Sequence, residues 1–482
     1  MKFIRDLGPF VAVLLAVVVA GGLTAGAWLE GVTVRLPLDA RWSMWWASEV
    51  VVRAEGFLDA PVAWYPVGTP FYTTLPGVLA PLFSAPFTLG LGSNLGNTAF
   101  VAVIAGGNVL GAFVAAQRLT GRVGASLAAA LLYGLNPAIL DALRWGELAS
   151  ALGWFLPWVL VAFWELPGSE DPWADAGEVA VGLAGVALAS WSSGAGTVIA
   201  LAAMGALWML RADRVDAAAQ AVRVAIVSVV VLVVPSLPFM QMYTESGAVP
   251  NWFFLTTDPV RIAWTAMVIG PAALTLPRAR PWALFAVVLW GLSFVPHVAA
   301  LSLVIHACMA MAAAVALGGM SRYPRRIATL AAAVACLAES ARPPGLALAV
   351  EAAQPSGEAL FGGAIVNLPM RTPHDDRLAQ TRHGQSLLVG PGVPPAGWLL
   401  FVQRNALLAT LWRVEGGGRA ESDVGLSTLH DAAGLLTSAG FRWITVGEGV
   451  SPSVISDWSA VLNPLLGEGT LTWDLTHLRK VE

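Results

Sequence analysis

The sequence predicts a mainly α-helical, polytopic membrane bundle of about eleven spans, followed by a small α/β domain outside the membrane. Three observations lead there. Hydrophobic residues make up 57% of the 482 and charged residues 12%, with a mean hydropathy of +0.69, so most side chains require lipid around them. Apolar runs of membrane-crossing length recur from residue 8 to about residue 340, as a many-helix membrane protein requires. Beyond residue 342 the pattern shifts to short strand-like runs and one helical stretch. A net charge of −4 specifies no partner, and no basic patch points to nucleic acid. The absence of a phosphate-binding glycine–lysine loop argues against ATP-driven transport.

The first apolar run, 8–28, follows Lys2 and Arg5. It reads as a retained helix, being longer than a signal-peptide core, with the small residues of 20–25 leaving cleavage as the minor alternative. Basic loop residues collect on the cytoplasmic side and so orient the rest. With the N-terminus inside, spans near 8–28, 97–117, 123–140, 149–165, 179–193, 196–210, 222–240, 260–276, 281–296, 299–318 and 327–341 put every basic cluster inside. These clusters are Lys2/Arg5, Arg118/Arg122, Arg211/Arg214, Arg278/Arg280 and Arg322/Arg325/Arg326. The apolar segment 73–91 is broken by Pro76, Pro81 and Pro86, and counted as a full span it would invert everything after it. It is therefore read as interfacial, re-entrant or a broken helix. The acidic linker 165–178 fits either side. The expected organisation is a transmembrane domain, 1–341, with an outer loop at 29–72, and an extracytoplasmic α/β domain, 342–482. In that domain 362–368, 387–389 and 442–446 are strand-like and 427–439 is helical, ending at Gly440.

Chemistry-bearing residues gather in two segments predicted to lie outside. The first loop carries Asp39, Arg41, Trp42, Trp45, Trp46, Glu49 and Arg53. Residues 41–53 have the spacing of an amphipathic helix lying on the membrane, its tryptophans toward the headgroups. Asp39 stands just before it, as an N-cap or as a reactive carboxylate. The second loop carries Asp141, Arg144, Trp145 and Glu147 after Asn136-Pro137. Acids near a helix end cost little, so their presence alone assigns nothing. His297 stands at the outer end of a span, while His306 and the two cysteines, Cys308 and Cys336, read as packing or hydrogen-bonding residues inside spans. His374 with Asp375/Asp376, and His383, lack metal-site spacing.

Several motifs carry a family resemblance. The stretch Trp64-Tyr65-Pro66-Val67-Gly68-Thr69-Pro70-Phe71-Tyr72, after a basic-started helix and a loop with Asp39, resembles the GT-C superfamily of membrane glycosyltransferases. So do Ala116-Gln117-Arg118-Leu119-Thr120-Gly121-Arg122, Leu135-Asn136-Pro137 and Gly146-Glu147, especially as found in its YfhO-like bacterial branch. In the tail, Ala364-Ile365-Val366-Asn367-Leu368-Pro369 and Gln380-Thr381-Arg382-His383-Gly384 are similar to the start of the soluble domain of those proteins. The resemblance implies transfer of a sugar from a polyprenyl-phosphate or polyprenyl-diphosphate carrier to a polysaccharide, lipid or protein acceptor at the outer face of the cell membrane. It matches Asp39 to the first-loop acid and Asp141 or Glu147 to the second. Arg41, Arg53, Arg144 and Arg261 are then candidates for the carrier phosphate, with Tyr65 and His297 as further substrate-binding candidates, and lipid snorkelling is the competing reading for each arginine. Asp39 is followed by Ala40-Arg41 rather than by another acid, and Asp141 and Glu147 form no tight pair. No metal or other cofactor is therefore expected. The enzyme reading requires the carboxylates of both segments to meet in one pocket; a transporter or an envelope scaffold protein does not.

Overall fold

The structure, a computed structural model, describes residues 2–30, 33–34, 36, 38–53, 59–60, 69–70, 77–209, 214–228, 230, 272–293, 301–340, 348, 350–351, 363–370, 386–389, 396–418, 424–447, 450–469 and 471–479. In chain order the elements begin with α1 (Lys2–Glu30), β1 (Thr33–Val34), α2 (Leu38–Arg53), β2 (Asp59–Ala60), β3 (Thr69–Pro70), α3 (Leu79–Thr120), α4 (Val123–Gly134), α5 (Pro137–Trp145) and α6 (Leu148–Ala151). Next come α7 (Phe155–Glu165), α8 (Pro172–Ala189), α9 (Trp191–Met209), α10 (Arg214–Ser228), α11 (Arg280–Leu292), α12 (Ser302–Gly319) and α13 (Arg322–Ser340). The tail holds β4 (Val350–Glu351), β5 (Ala364–Leu368), α14 (Ala396–Arg404), α15 (Ala406–Glu415), α16 (Leu426–Ser438), β6 (Phe441–Val446), α17 (Pro452–Leu466) and β7 (Thr472–Asp474). They form two compact units, one of Met1–Pro37, Pro76–Gln241 and Val249–Ala353, the other of Leu38–Leu75, Met242–Ala248 and Gln354–Glu482.

The first unit is a helix bundle of a membrane protein. Among the described residues, α1 (over Gly8–Leu29), α3 and α12 are long and apolar enough to cross a bilayer. The α4–α5 pair qualifies only when counted together, and it is bent by 42°. Helices such as α7 and α11 are too short to traverse a hydrocarbon core of about 30 Å at 1.5 Å per residue. Of the predicted spans, 260–276 and most of 222–240 fall largely outside the described residues.

Of the proline-broken segment 73–91, residues 79–91 form the first limb of α3. Gly92 leaves helical geometry at φ 75° and ψ 165°, a left-handed value that glycine adopts without a Cβ penalty. The chain then folds back. A Cβ on Gly96 would stand 2.6 Å from the carbonyl oxygen of Phe87, and the rings of Phe87 and Phe100 lie 5.9 Å apart. In an unbroken helix those two residues would be separated by about 20 Å along the axis. The segment is thus a helical limb packed on 93–120, and Val78 N–H bonds to Leu188 O at 2.8 Å to anchor its start.

Three of the basic clusters, Lys2/Arg5, Arg118/Arg122 and Arg322/Arg325/Arg326, lie on helix starts or ends that share one end of this unit. A Cβ on Gly318 would stand 3.4 Å from Thr120 Cβ and 3.9 Å from Arg122 Cγ, and one on Gly8 would stand 2.7 Å from Val123. These contacts bring the starts of α1, α4 and α13 together. Arg118 donates to Glu165 at 2.6 Å and also pairs with Glu178, so the acidic linker lies at the same end.

Deep in the bundle, the helical path breaks between α6 and α7, which frees backbone groups that lipid cannot solvate. Asn108, fully buried, donates to Ala151 O at 2.8 Å and accepts from Gly153 N at 3.1 Å. Tyr133, equally buried, donates its hydroxyl to Gly153 O at 2.7 Å. Asn108→Leu keeps the volume and removes two of these three bonds. We expect it to cost on the order of 2 kcal/mol, measured as a lower unfolding midpoint of the detergent-solubilised chain; an unchanged midpoint would show that the break does not depend on Asn108.

The second unit is α/β. Its sheet has the order β5-β6-β7, with β5 and β6 parallel and β6 and β7 antiparallel, and Leu387 bridges Ile365 beyond β5. Val366, Leu368, Ile444, Trp398 and Trp458 form its core with residues of α14 to α17. Asp474 ends β7. Burial alone would raise its pKa, but the Thr476 hydroxyl and N–H donate to it and Arg442 and His477 stand near, which holds it below the ordinary carboxylate value.

One expectation is corrected here. The tryptophans of α2 do not face lipid headgroups: Trp42, Trp45 and Trp46 are 1%, 4% and 0% exposed and belong to the core of the second unit, with Val366, Leu368 and Trp458. Trp42 and Trp46 stack with ring centroids 6.2 Å apart and planes 11° apart. The physical reason is that this apolar face finds a sheet-and-helix core to bury against, which removes indole surface from water more completely than an interface does. Leu38–Leu75, assigned from sequence to an outer loop of the membrane domain, therefore groups with the tail.

Candidate functional site

The first set of candidate residues is organised by α5. Asn136 caps it, its Oδ1 accepting from Ile139 N at 3.0 Å, and Pro137 occupies the first helical position, where no N–H is needed. Gly146 ends it at φ 69°, the left-handed residue that stops a helix. Ile139, Leu140 and Leu143 are buried while Trp145 is 72% exposed, so α5 is amphipathic. Asp141 is a helix residue, not a loop residue as read from sequence. Its Oδ1 accepts from Arg144 Nη1 at 3.0 Å, one turn away on the half-buried flank. Glu147 is exposed at the start of α6, and its N–H bonds to Ala142 O at 2.8 Å. Asp141, Arg144 and Glu147 are thereby held within one short stretch of chain. Asn108, which grips the adjoining α6–α7 break, lies about 18 Å along α3 from Thr120, so this stretch is in the half of the unit remote from the basic clusters.

The second set belongs to α2. This helix starts at Leu38, so Asp39 is a first-turn residue rather than the residue preceding the helix. Carboxylates in that turn are favoured by the helix's positive end. Arg41, two residues on, is half-buried. The side chains of Asp39 and Arg53, and all of Tyr65, Arg261 and His297, lie outside the described residues. The tail histidines His374 and His383 do too. His306 is 2% exposed and its Nδ1 lies 2.8 Å from Ser302 O in its own helix. Among the described residues no cluster of His, Cys, Asp or Glu is arranged to hold a metal ion.

Sequence reasoning missed a groove of about 770 Å³ between α1, α3 and α7. Val17, Gly21, Gly106 and Gly107 form part of its walls, with Phe83, Trp154 and Trp158. A Cβ on Gly107 would stand 1.8 Å from the Trp154 ring and one on Gly111 2.3 Å from Trp154 O, so both glycines are needed for the indole to lie on α3. Trp28 closes one end with its Nε1 donating to Thr24 at 2.8 Å. Trp158 Nε1 donates to Glu178, which also holds Arg118. The signal in the sequence was the spacing of Gly106, Gly107 and Gly111 within an otherwise bulky run.

No protein-family model and no curated protein matches this sequence. Solved structures do match, and they show a GT-C fold. Arabinofuranosyltransferase AftD from mycobacteria aligns with a TM-score of 0.60 over 92% of this chain and 35% of that chain, at 18% identity. The apo oligosaccharyltransferase of Archaeoglobus fulgidus aligns with a TM-score of 0.51 over 92% and 70%, at 14% identity. The archaeal oligosaccharyltransferase AglB, solved with an inhibitory peptide and a dolichol-phosphate, aligns at 0.50 over 91% and 69%, at 13% identity. This chain thus spans about a third of AftD, and at these identities what is shared is the fold.

Proposed function

We propose that the chain is an integral membrane glycosyltransferase that moves a sugar from a polyprenyl-phosphate carrier to an envelope acceptor on the outer face of the cell membrane. The observation that carries this is the shared fold, which covers 92% of the chain in both an arabinofuranosyltransferase and an oligosaccharyltransferase. The resemblance of its motifs to the YfhO-like branch is a narrower statement of the same reading. The large apolar groove supports it, because a carrier's isoprenoid chain needs a lipid-accessible, charge-free channel.

In the reaction, an acceptor oxygen bonds to the sugar's anomeric carbon, the bond from that carbon to the phosphate oxygen breaks, and the acceptor's proton passes to a carboxylate. Asp39 is the proposed base, with Asp141 and Glu147 as assisting carboxylates. The departing polyprenyl phosphate gains charge, for which Arg41, Arg53, Arg144 and Arg261 are the proposed partners. Tyr65 and His297 are proposed to touch substrate, and no metal is assigned. The N-terminus is proposed to be cytoplasmic and the α/β unit extracytoplasmic.

The test uses the purified full chain in lipid nanodiscs, a panel of radiolabelled polyprenyl-phosphate sugars, and envelope polysaccharide, lipid and protein fractions as acceptors. Label should enter one acceptor fraction as a covalent product that needs active chain. Movement of the same donors across reconstituted vesicles with no covalent product in any fraction would instead make the protein a transporter.

A further inference from the structure

A second groove opens at the basic end of the first unit, between α1, α4 and α13, and encloses about 320 Å³. Leu15 and Leu131 line its apolar depth, Arg325 and Arg326 stand at its rim, and Thr329 and Gly124 line it between them. Three features separate it from an ordinary gap between helices. First, neither guanidinium makes an ion pair among the described residues, in contrast to Arg118, which holds two carboxylates nearby. Second, Thr329 does not use its hydroxyl as helical threonines here do. Thr24, Thr120 and Thr197 each donate to the carbonyl four residues back, the usual way such a side chain is satisfied in a helix. Thr329 Oγ1 is buried and has no hydrogen-bond partner among the described residues. Third, a Cβ on Gly124 would stand 3.8 Å from that oxygen, so the hydroxyl faces the gap toward α4.

We infer that this groove is a binding site for an anionic phospholipid. Two fork-shaped guanidinium groups match a phosphodiester's oxygens. The Thr329 hydroxyl, one turn deeper than Arg325, meets the level of the ester carbonyls, and the leucine-lined depth takes the start of an acyl chain. Basic pockets between transmembrane helices recognise anionic headgroups in this way. A free phosphate would leave the apolar depth unused, and a zwitterionic headgroup would bring its own cation against the two arginines. The site is independent of sugar transfer: its residues belong to neither candidate catalytic segment.

The test is lipid binding by the detergent-purified full chain, read by native mass spectrometry with dioleoylphosphatidylglycerol and dioleoylphosphatidylcholine as probes. The phosphatidylglycerol adduct should be favoured at least about tenfold, and R325Q/R326Q should remove about 30-fold of its affinity, since each surface arginine contributes roughly a factor of five. Gly124→Leu keeps both charges and has room for its Cβ, so the fold survives; it should weaken the same adduct about tenfold by filling the groove. Equal binding of the two lipids, undiminished phosphatidylglycerol binding in both variants, or complete displacement by millimolar inorganic phosphate would each overturn the assignment.

Discussion

Trp46→Ala should destabilise the second unit by about 3–5 kcal/mol, the range for removing a large aromatic side chain from a packed core. Trp46 is 0% exposed and its ring centroid lies 6.2 Å from those of both Trp42 and Trp45, so its removal opens a cavity inside the packed core. A domain of this size has a total stability of roughly 5–15 kcal/mol, and the variant would spend much of it. The measurement is urea-induced unfolding of the full chain in detergent, followed by protease cleavage within residues 396–466. Val52→Ala, at a position on the same helix that is 67% exposed, should change the midpoint by no more than about 0.5 kcal/mol. If α2 lay on the bilayer surface, Trp46→Ala would leave the tail's midpoint where it was.

The misplacement of α2 shows what residue spacing holds and what it leaves out. Trp42, Trp45 and Trp46 recur at helical intervals, which correctly predicts one apolar face. Nothing in that interval says whether lipid headgroups or a folded domain will cover the face, because either environment rewards the same indoles. The partners, Val366, Leu368 and Trp458, are hundreds of residues away in sequence. In the tail, by contrast, the periodicity was local and sufficient. The spacing predicts a helix over 427–439 and α16 spans Leu426–Ser438, while β5 and β6 fall on the predicted strand runs. A positive φ of 92° at Gly440 explains why the helix ends there.

The membrane unit repeats the lesson at finer scale. Three prolines marked 73–91 as broken, but the return of the chain depends on Gly96 accepting the backbone of Phe87, a contact that a propensity argument does not reach. Asn108 was one polar residue in an apolar run, and its meaning lies in Ala151 and Gly153, across the bundle. In the candidate site, the Asp141–Arg144 ion pair follows from their spacing on one helical turn. The helical state of Asp141 was hidden because Asn136-Pro137 looks like the opening of a loop and is in fact a cap followed by the first helical residue.

Asp39→Asn is expected to lower sugar transfer by roughly 10²–10⁴-fold, the contribution of a positioned general base. Asparagine preserves the size and shape of the side chain and removes only its capacity to take a proton. Asp39 lies in the first turn of α2, where a carboxylate's interaction with the helix end contributes about 0.3–1 kcal/mol. A purely structural role would therefore appear as a small shift in the unfolding midpoint with transfer nearly intact. A catalytic one would appear as a collapse of kcat with donor KM close to the wild-type value, since the proton is taken only as the glycosidic bond forms. Asp39→Glu separates the two further: it restores the charge at the helix end but moves the carboxylate by one methylene, so it should recover the midpoint and little of the rate. Unchanged transfer by the Asn variant, in membranes where the protein is present at wild-type level, would remove Asp39 from the mechanism and leave the carboxylates of Asp141 and Glu147 as the remaining bases to test.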